Sequence, residues 1–153
     1  MPFHISPSAA LAMVIFAVVS AIIGSALAGA GGWRELAARY PAPAVPPPDE
    51  VRYRFSSLRT AGGFIGVATY ESCVNVGVSA RGISLALWAP LRLFHPGLLV
   101  PWDAIETCRS IEVYGRRSTR FTVRQAGSVT VYGRAASAIA EWASRAGIAA
   151  ATT

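Results

Sequence analysis

The chain of 153 residues carries 14 basic residues against 8 acidic ones, a formal charge of +6, and is 53% hydrophobic but only 14% charged. A soluble domain usually has about 25% charged residues, so this composition excludes a disordered polyelectrolyte and leaves room for one domain of about a hundred residues with apolar appendages. Every basic residue is arginine, and with the abundant alanine this reads as the codon bias of a GC-rich bacterial genome; the arginines run from residue 34 to residue 145 without the basic stripe that nucleic-acid binding needs.

Residues 9–30 contain no charge. Twenty-two residues at 1.5 Å each give about 33 Å of helix, enough to cross a hydrocarbon core of about 30 Å. Residues 1–32 are therefore expected to form a transmembrane anchor. Ala26, Leu27 and Ala28 also match a signal-peptidase pattern, and cleavage after Ala28 would release a secreted or periplasmic domain. The N-terminal flank has no Lys or Arg, however, and the apolar run is longer than a typical signal core. Arg34 and Arg39 follow the helix, and positive charge favours the cytoplasmic side. The expected localisation is the bacterial inner membrane, single-pass, with the remaining chain in the cytoplasm.

Residues 33–50 form the next unit. Trp33, Leu36, Ala37 and Tyr40 fall on one helical face. The spacing fits either a continuation of the membrane helix or a short helix lying in the interface with its aromatics toward lipid. Five prolines in residues 41–48 then predict an extended spacer that holds the domain about 25 Å off the bilayer.

From Val51 the apolar period changes to two. Val51, Tyr53 and Phe55, then Val74, Val76 and Val78, then Ile83, Leu85 and Leu87 alternate with polar or small residues, as half-buried antiparallel strands do. Residues 79–82 supply a hairpin turn, and residues 98–101 a short edge strand ended by Pro101. Strands over 105–113, 119–124 and 128–132 bring the total to about seven. A closing amphipathic helix over 135–146 aligns Ile139, Trp142, Ala143 and Ala146, with Gly147 as its cap. The expected class is mainly β with a C-terminal α-helix: two packed sheets or a partly open barrel over 51–147, and a disordered tail over 148–153.

The hairpin over 74–87 with Gly82, the segment 95–105 with its Val-Pro-Trp-x-x-Ile unit, and the terminal helix with Trp142 resemble the pleckstrin-homology-like superfold, particularly the bacterial PH and GRAM-like domains. The resemblance covers about residues 50–147, and Gly32 to Ala37 also looks like small bacterial membrane proteins of this sort. It implies a fold and no reaction. Eukaryotic PH domains hold phosphoinositides with basic residues around the loop between their first two strands. The corresponding loop, 59–71, has Arg59 alone, which argues against that specificity.

The remaining candidates are few. Arg116, Arg117, Arg120 and Arg124 surround one hairpin, with alternation placing Arg120 and Arg124 on its outer face. They are the expected contact for anionic lipid, where each nearby arginine contributes about 1 kcal/mol, or for an acidic protein. Phe64 and Ile65 at a loop tip read as core or as a lipid or partner contact. His95 and Asp103 lack a nucleophile elbow, and Cys73, Cys108 and His95 lack metal-ligand spacing. The two cysteines make either one disulfide or two buried thiols. No cofactor, metal or catalytic residue is expected. The chain reads as a membrane-anchored binding or scaffolding protein, not an enzyme, engaging the membrane or a protein partner and no nucleic acid.

Overall fold

The computed structural model describes residues 6–62, 66–89 and 91–148. Helix α1 spans Pro7–Ala30. Its start follows from Ser6, whose hydroxyl accepts the Ala9 N–H at 3.3 Å, and from Pro7, which has no N–H to leave unpaired. The helix is long and apolar enough over Pro7–Ala26 to cross a membrane. Residues 26–28 lie inside it without a break, and Ala28 is fully buried.

The chain turns at Gly31 and Gly32, where Gly32 adopts φ +75, and a second helix, α2, runs over Trp33–Arg39. The helical spacing of Trp33, Leu36 and Ala37 holds, but the face they form is buried in the β domain. Trp33 therefore is not part of an interfacial aromatic belt. Its indole N–H donates to the Pro96 carbonyl at 3.0 Å, and its ring meets Tyr70 and His95 at centroid distances of 5.4 and 5.5 Å. A buried tryptophan with its polar edge satisfied is more stable there than in the wet interface.

The proline segment is not a free spacer either. The Leu99 N–H donates to the Tyr40 carbonyl at 2.9 Å and the Ala42 N–H to the Gly97 carbonyl at 3.0 Å, with Pro41 bridged to Leu98. The segment lies along an exposed strand edge, a place where proline's missing donor costs nothing. Asp49 then accepts the Ala80 N–H at 2.7 Å, so the strip is tied to the domain at both ends.

Seven strands follow: β1 (Val51–Gly62), β2 (Gly66–Ser79), β3 (Gly82–Leu87), β4 (Leu98–Pro101), β5 (Ile105–Val113), β6 (Arg116–Val123) and β7 (Gly127–Tyr132). They form one antiparallel sheet in the order β4-β3-β2-β1-β7-β6-β5, curled into a half-barrel. The curl originates in β1, which pairs with β2 along its length but with β7 only from Leu58 to Ala61. Register shifts between Tyr53 and Ser56 and between Ser56 and Leu58, with Phe55 at φ +54, bend the strand. The same bulges reset the alternation, so Val51 and Phe55 are exposed and not half-buried as their pattern suggests. Residues 59–62 and 66–71, expected as a loop, are strand. Phe64 and Ile65 fall outside the described residues.

The concave side carries the core. Val74, Val76 and Val78 face Leu87, Leu85 and Ile83 across β2 and β3 as their alternation requires, and all six are buried. Helix α3 (Arg134–Arg145) closes the other part of the trough with Ala135, Ala136, Ile139 and Ala143. Thr119 donates to the Ala136 carbonyl at 2.7 Å, and Trp142 stacks on Trp102 at 6.4 Å. Ala146, expected on the buried face, is exposed because the helix has already ended. Ile148 N–H reaches back to the Ala143 carbonyl and Gly147 N–H to that of Ser144, a Schellman closure. Ile148 packs on the core, and the residues after it are outside those described. Cys73 and Cys108 are free thiols; burial pushes the Cys108 thiol up to about 11.

Candidate functional site

The side chains of Arg116 and Arg120 on β6 share the convex side with that of Arg124 just past the strand's end, as their even, four-residue spacing dictates, and all are exposed. Arg117 has the opposite parity and lines a groove against α3 with Ala136 and Ser137. The four arginines named from sequence are thus three and one. Strand register adds two more that sequence proximity hid. Arg109 on β5 lies opposite Arg120, Thr130 on β7 lies on its other side, and Arg59 on β1 follows Thr130 in the same row. Part of this charge is already engaged: Arg120 Nε donates to Thr130 Oγ1 at 3.1 Å, and Arg124 Nε meets Glu106 Oε1 at 3.6 Å.

A second basic region gathers where the start of β1 meets the start of α3. Arg52, Arg54, Arg116 and Arg134 border a depression of about 610 Å³ that no carboxylate among the described residues lines. Arg52 is neutralised by Glu50 at 2.9 Å, and the same carboxylate accepts the Ser84 hydroxyl at 3.0 Å. Arg54, Arg116 and Arg134 have no ion-pair partner among the described residues. A contiguous groove of about 240 Å³ continues from Arg52 and Arg54 past Asn75 to Trp88 and Arg92.

That groove ends at the segment joining β3 to β4, and this segment touches the apolar helix. Phe94 packs on α1: a Cβ added to Gly24 would sit 3.0 Å from Phe94 Cδ2. Seven residues further on, a Cβ on Gly31 would collide with Thr60 Oγ1 and lie 2.6 Å from Ala68 Cβ. The last two turns of α1 are therefore seated on the domain through two glycines. Arg34 reinforces the seat by donating to Ser25 Oγ at 2.8 Å, and Arg39 by donating to the Arg124 carbonyl and Gln125 Oε1, each at 3.3 Å.

His95 holds the segment from behind. It is buried; its Nδ1 lies 3.2 Å from the Leu91 carbonyl, to which it donates, leaving Nε2 to accept from Tyr70 Oη at 3.1 Å. Burial lowers its affinity for a proton, the Leu91 carbonyl partly opposes this, and the charge of Arg34 adds to it. Asp103 sits exposed in the short turn Trp102–Ala104 and is not among these partners. Nothing about His95 resembles a base next to a nucleophile; it is an internal brace. Among the described residues, no three His, Cys, Asp or Glu side chains come together to hold a metal.

No family model, no curated protein and no solved structure matches the chain.

Proposed function

We propose that this is a single-pass protein of the bacterial plasma membrane whose PH-like β domain is a binding or scaffolding module on the cytoplasmic side, held flush against the bilayer. The observation that carries the reading is the seating of α1 on the domain at Gly24 and Gly31, which leaves no length of free tether between span and sheet. Burial of Ala28 within unbroken helix supports an anchor that stays attached. The strand order and the closing helix support the PH-like reading. Arg34 and Arg39 support the cytoplasmic placement. The functional surfaces are the arginine row on the convex face and the basic groove that runs to Trp88, both suited to anionic headgroups or an acidic protein surface.

The test is membrane fractionation of the full chain with a C-terminal tag. The expected result is full-length protein that resists alkaline extraction, with the tag labelled in inverted vesicles and protected in intact spheroplasts. A soluble product beginning at Gly29 would overturn the anchor, and labelling from outside would overturn the orientation.

A further inference from the structure

We propose that the groove between Arg54 on β1 and Trp88 and Arg92 at the end of β3 binds the headgroup of an anionic phospholipid from the bilayer that α1 spans, with Trp88 and Leu93 inserted beside it. This rests on the membrane reading of α1. Four observations converge on it.

The first is depth. Gly24 lies two residues before the end of the apolar stretch Pro7–Ala26, about 3 Å along the helix axis. Phe94 packs on that glycine, so the segment carrying it sits at the boundary between acyl chains and headgroups. The second is exposure. Next to Phe94, Leu93 is 82% exposed, and Trp88 is 55% exposed on the same segment. Large apolar side chains standing out beside a membrane helix have the bilayer as their nearest apolar medium, and tryptophan favours the interfacial layer.

The third is charge. Arg54 and Arg92 face the groove without ion-pair partners among the described residues, while Arg52 is balanced by Glu50. Two guanidiniums provide the forked donors that a phosphodiester accepts, and Asn75 adds an amide on the groove floor. The fourth is rigidity. The turn Leu91–Leu93 is held by the Leu91 and Arg92 N–H groups bonding the Trp88 carbonyl, by the Trp88 N–H bonding the Cys73 carbonyl at 2.9 Å, and by His95 on the Leu91 carbonyl. A site whose geometry is set before the ligand arrives loses less on binding it. At about 240 Å³ the groove has room for a small phosphodiester headgroup, with the acyl chains left in the membrane.

The experiment uses the full chain. It is reconstituted in nanodiscs of phosphatidylcholine with or without phosphatidylglycerol, including discs with acyl chains brominated near the headgroup, and is also examined by native mass spectrometry from detergent. Bromolipid is expected to quench tryptophan emission in the wild type, and Trp88→Phe should remove most of that quenching. Phosphatidylglycerol should be retained over phosphatidylcholine, with retention falling about tenfold in Arg54→Ala/Arg92→Ala, surviving in Arg54→Lys/Arg92→Lys, and unchanged in Arg145→Ala at the end of α3, where the arginine pairs with Glu141.

Glycerol phosphate added in solution separates the two sources of the phosphate. Failure to displace the lipid supports a membrane-derived ligand, and full displacement would overturn it in favour of a soluble phosphate ester. A protein that enters the discs normally but shows neither Trp88 quenching nor lipid preference would overturn this site while leaving the anchored module intact. A protein that does not enter the discs would overturn both.

Discussion

At the scale of single residues, Thr60 shows how closely the end of α1 is fitted to the sheet. It is fully buried on the concave side of β1, and its hydroxyl has no hydrogen-bond partner among the described residues. The reason is steric. Gly31 stands so close that a Cβ added to it would overlap Thr60 Oγ1, which leaves no room there for a water or a polar side chain. An unpaired buried hydroxyl costs about 1–3 kcal/mol, and valine has the same shape without that cost. Thr60→Val is therefore expected to stabilise the chain by about 1 kcal/mol in chemical denaturation followed by near-UV circular dichroism. Destabilisation by the same amount would mean that the hydroxyl has a partner at work in solution.

At the scale of elements, α2 and the segment it clasps behave as one unit through His95. The ordinary imidazole pKa is 6.5, and that of His95 is lowered, chiefly by burial. A base lowered in the folded state binds fewer protons folded than unfolded. Stability is then complete above about 6.5 and is lost as the pH falls from there toward the lowered folded value. Melting temperatures measured from about pH 8 to about pH 5 should hold steady and then drop for the wild type. His95→Gln should start lower, since it loses the ring's fit between Trp33 and Tyr70, and should lose this part of the acid slope. Equal slopes in the two proteins would remove His95 from the account. The elements themselves were largely legible in the sequence. Alternation marked Val74, Val76 and Val78 against Ile83, Leu85 and Leu87, and a charge-free run marked α1. What those patterns leave open is the partner. Helical spacing put Trp33, Leu36 and Ala37 on one face but could not say whether that face meets lipid or a sheet. Composition made residues 41–48 extended without revealing that Tyr40, Ala42 and β4 would exchange hydrogen bonds. Alternation failed at Val51 and Phe55 because a bulge changes the phase and leaves no mark in residue type. The candidate surfaces suffered most. Arg59 reaches Arg109 and Arg120 only through the register of four strands, and Arg54 reaches Arg92 only through the curl of the sheet.

At the scale of the whole molecule, the arrangement would, on the proposed membrane reading of α1, fix how the domain stands relative to the bilayer. A flexible tether would let the arginine surfaces sample many orientations, each only transiently useful. Here about 9 Å of helix separates Gly24 from the end of α1, with Gly31 in the turn just beyond it, and two separated points resist tilting far better than one. The proline strip, bonded to β4, removes the remaining slack. The charged groove is thus presented at one height, and the cost of orienting it is met during folding and not at each binding event. If this coupling is real, damage at the seat must be felt at the strip. In Gly31→Leu the added side chain meets Thr60 and Ala68 already at its Cβ, and overpacking of this kind costs about 1–3 kcal/mol. In nanodiscs, hydrogen exchange at the Leu99 and Ala42 amides, which hold the strip to β4, is expected to accelerate about tenfold, matching about 1.4 kcal/mol. Amides in the body of β6 and β7 should exchange as in the wild type, because α3 packs on those strands, whereas α2 reaches only their turn, through Arg39 on Arg124 and Gln125. Acceleration confined to α1, with the strip unchanged, would show that the domain keeps its own order and that its orientation is not set by α1.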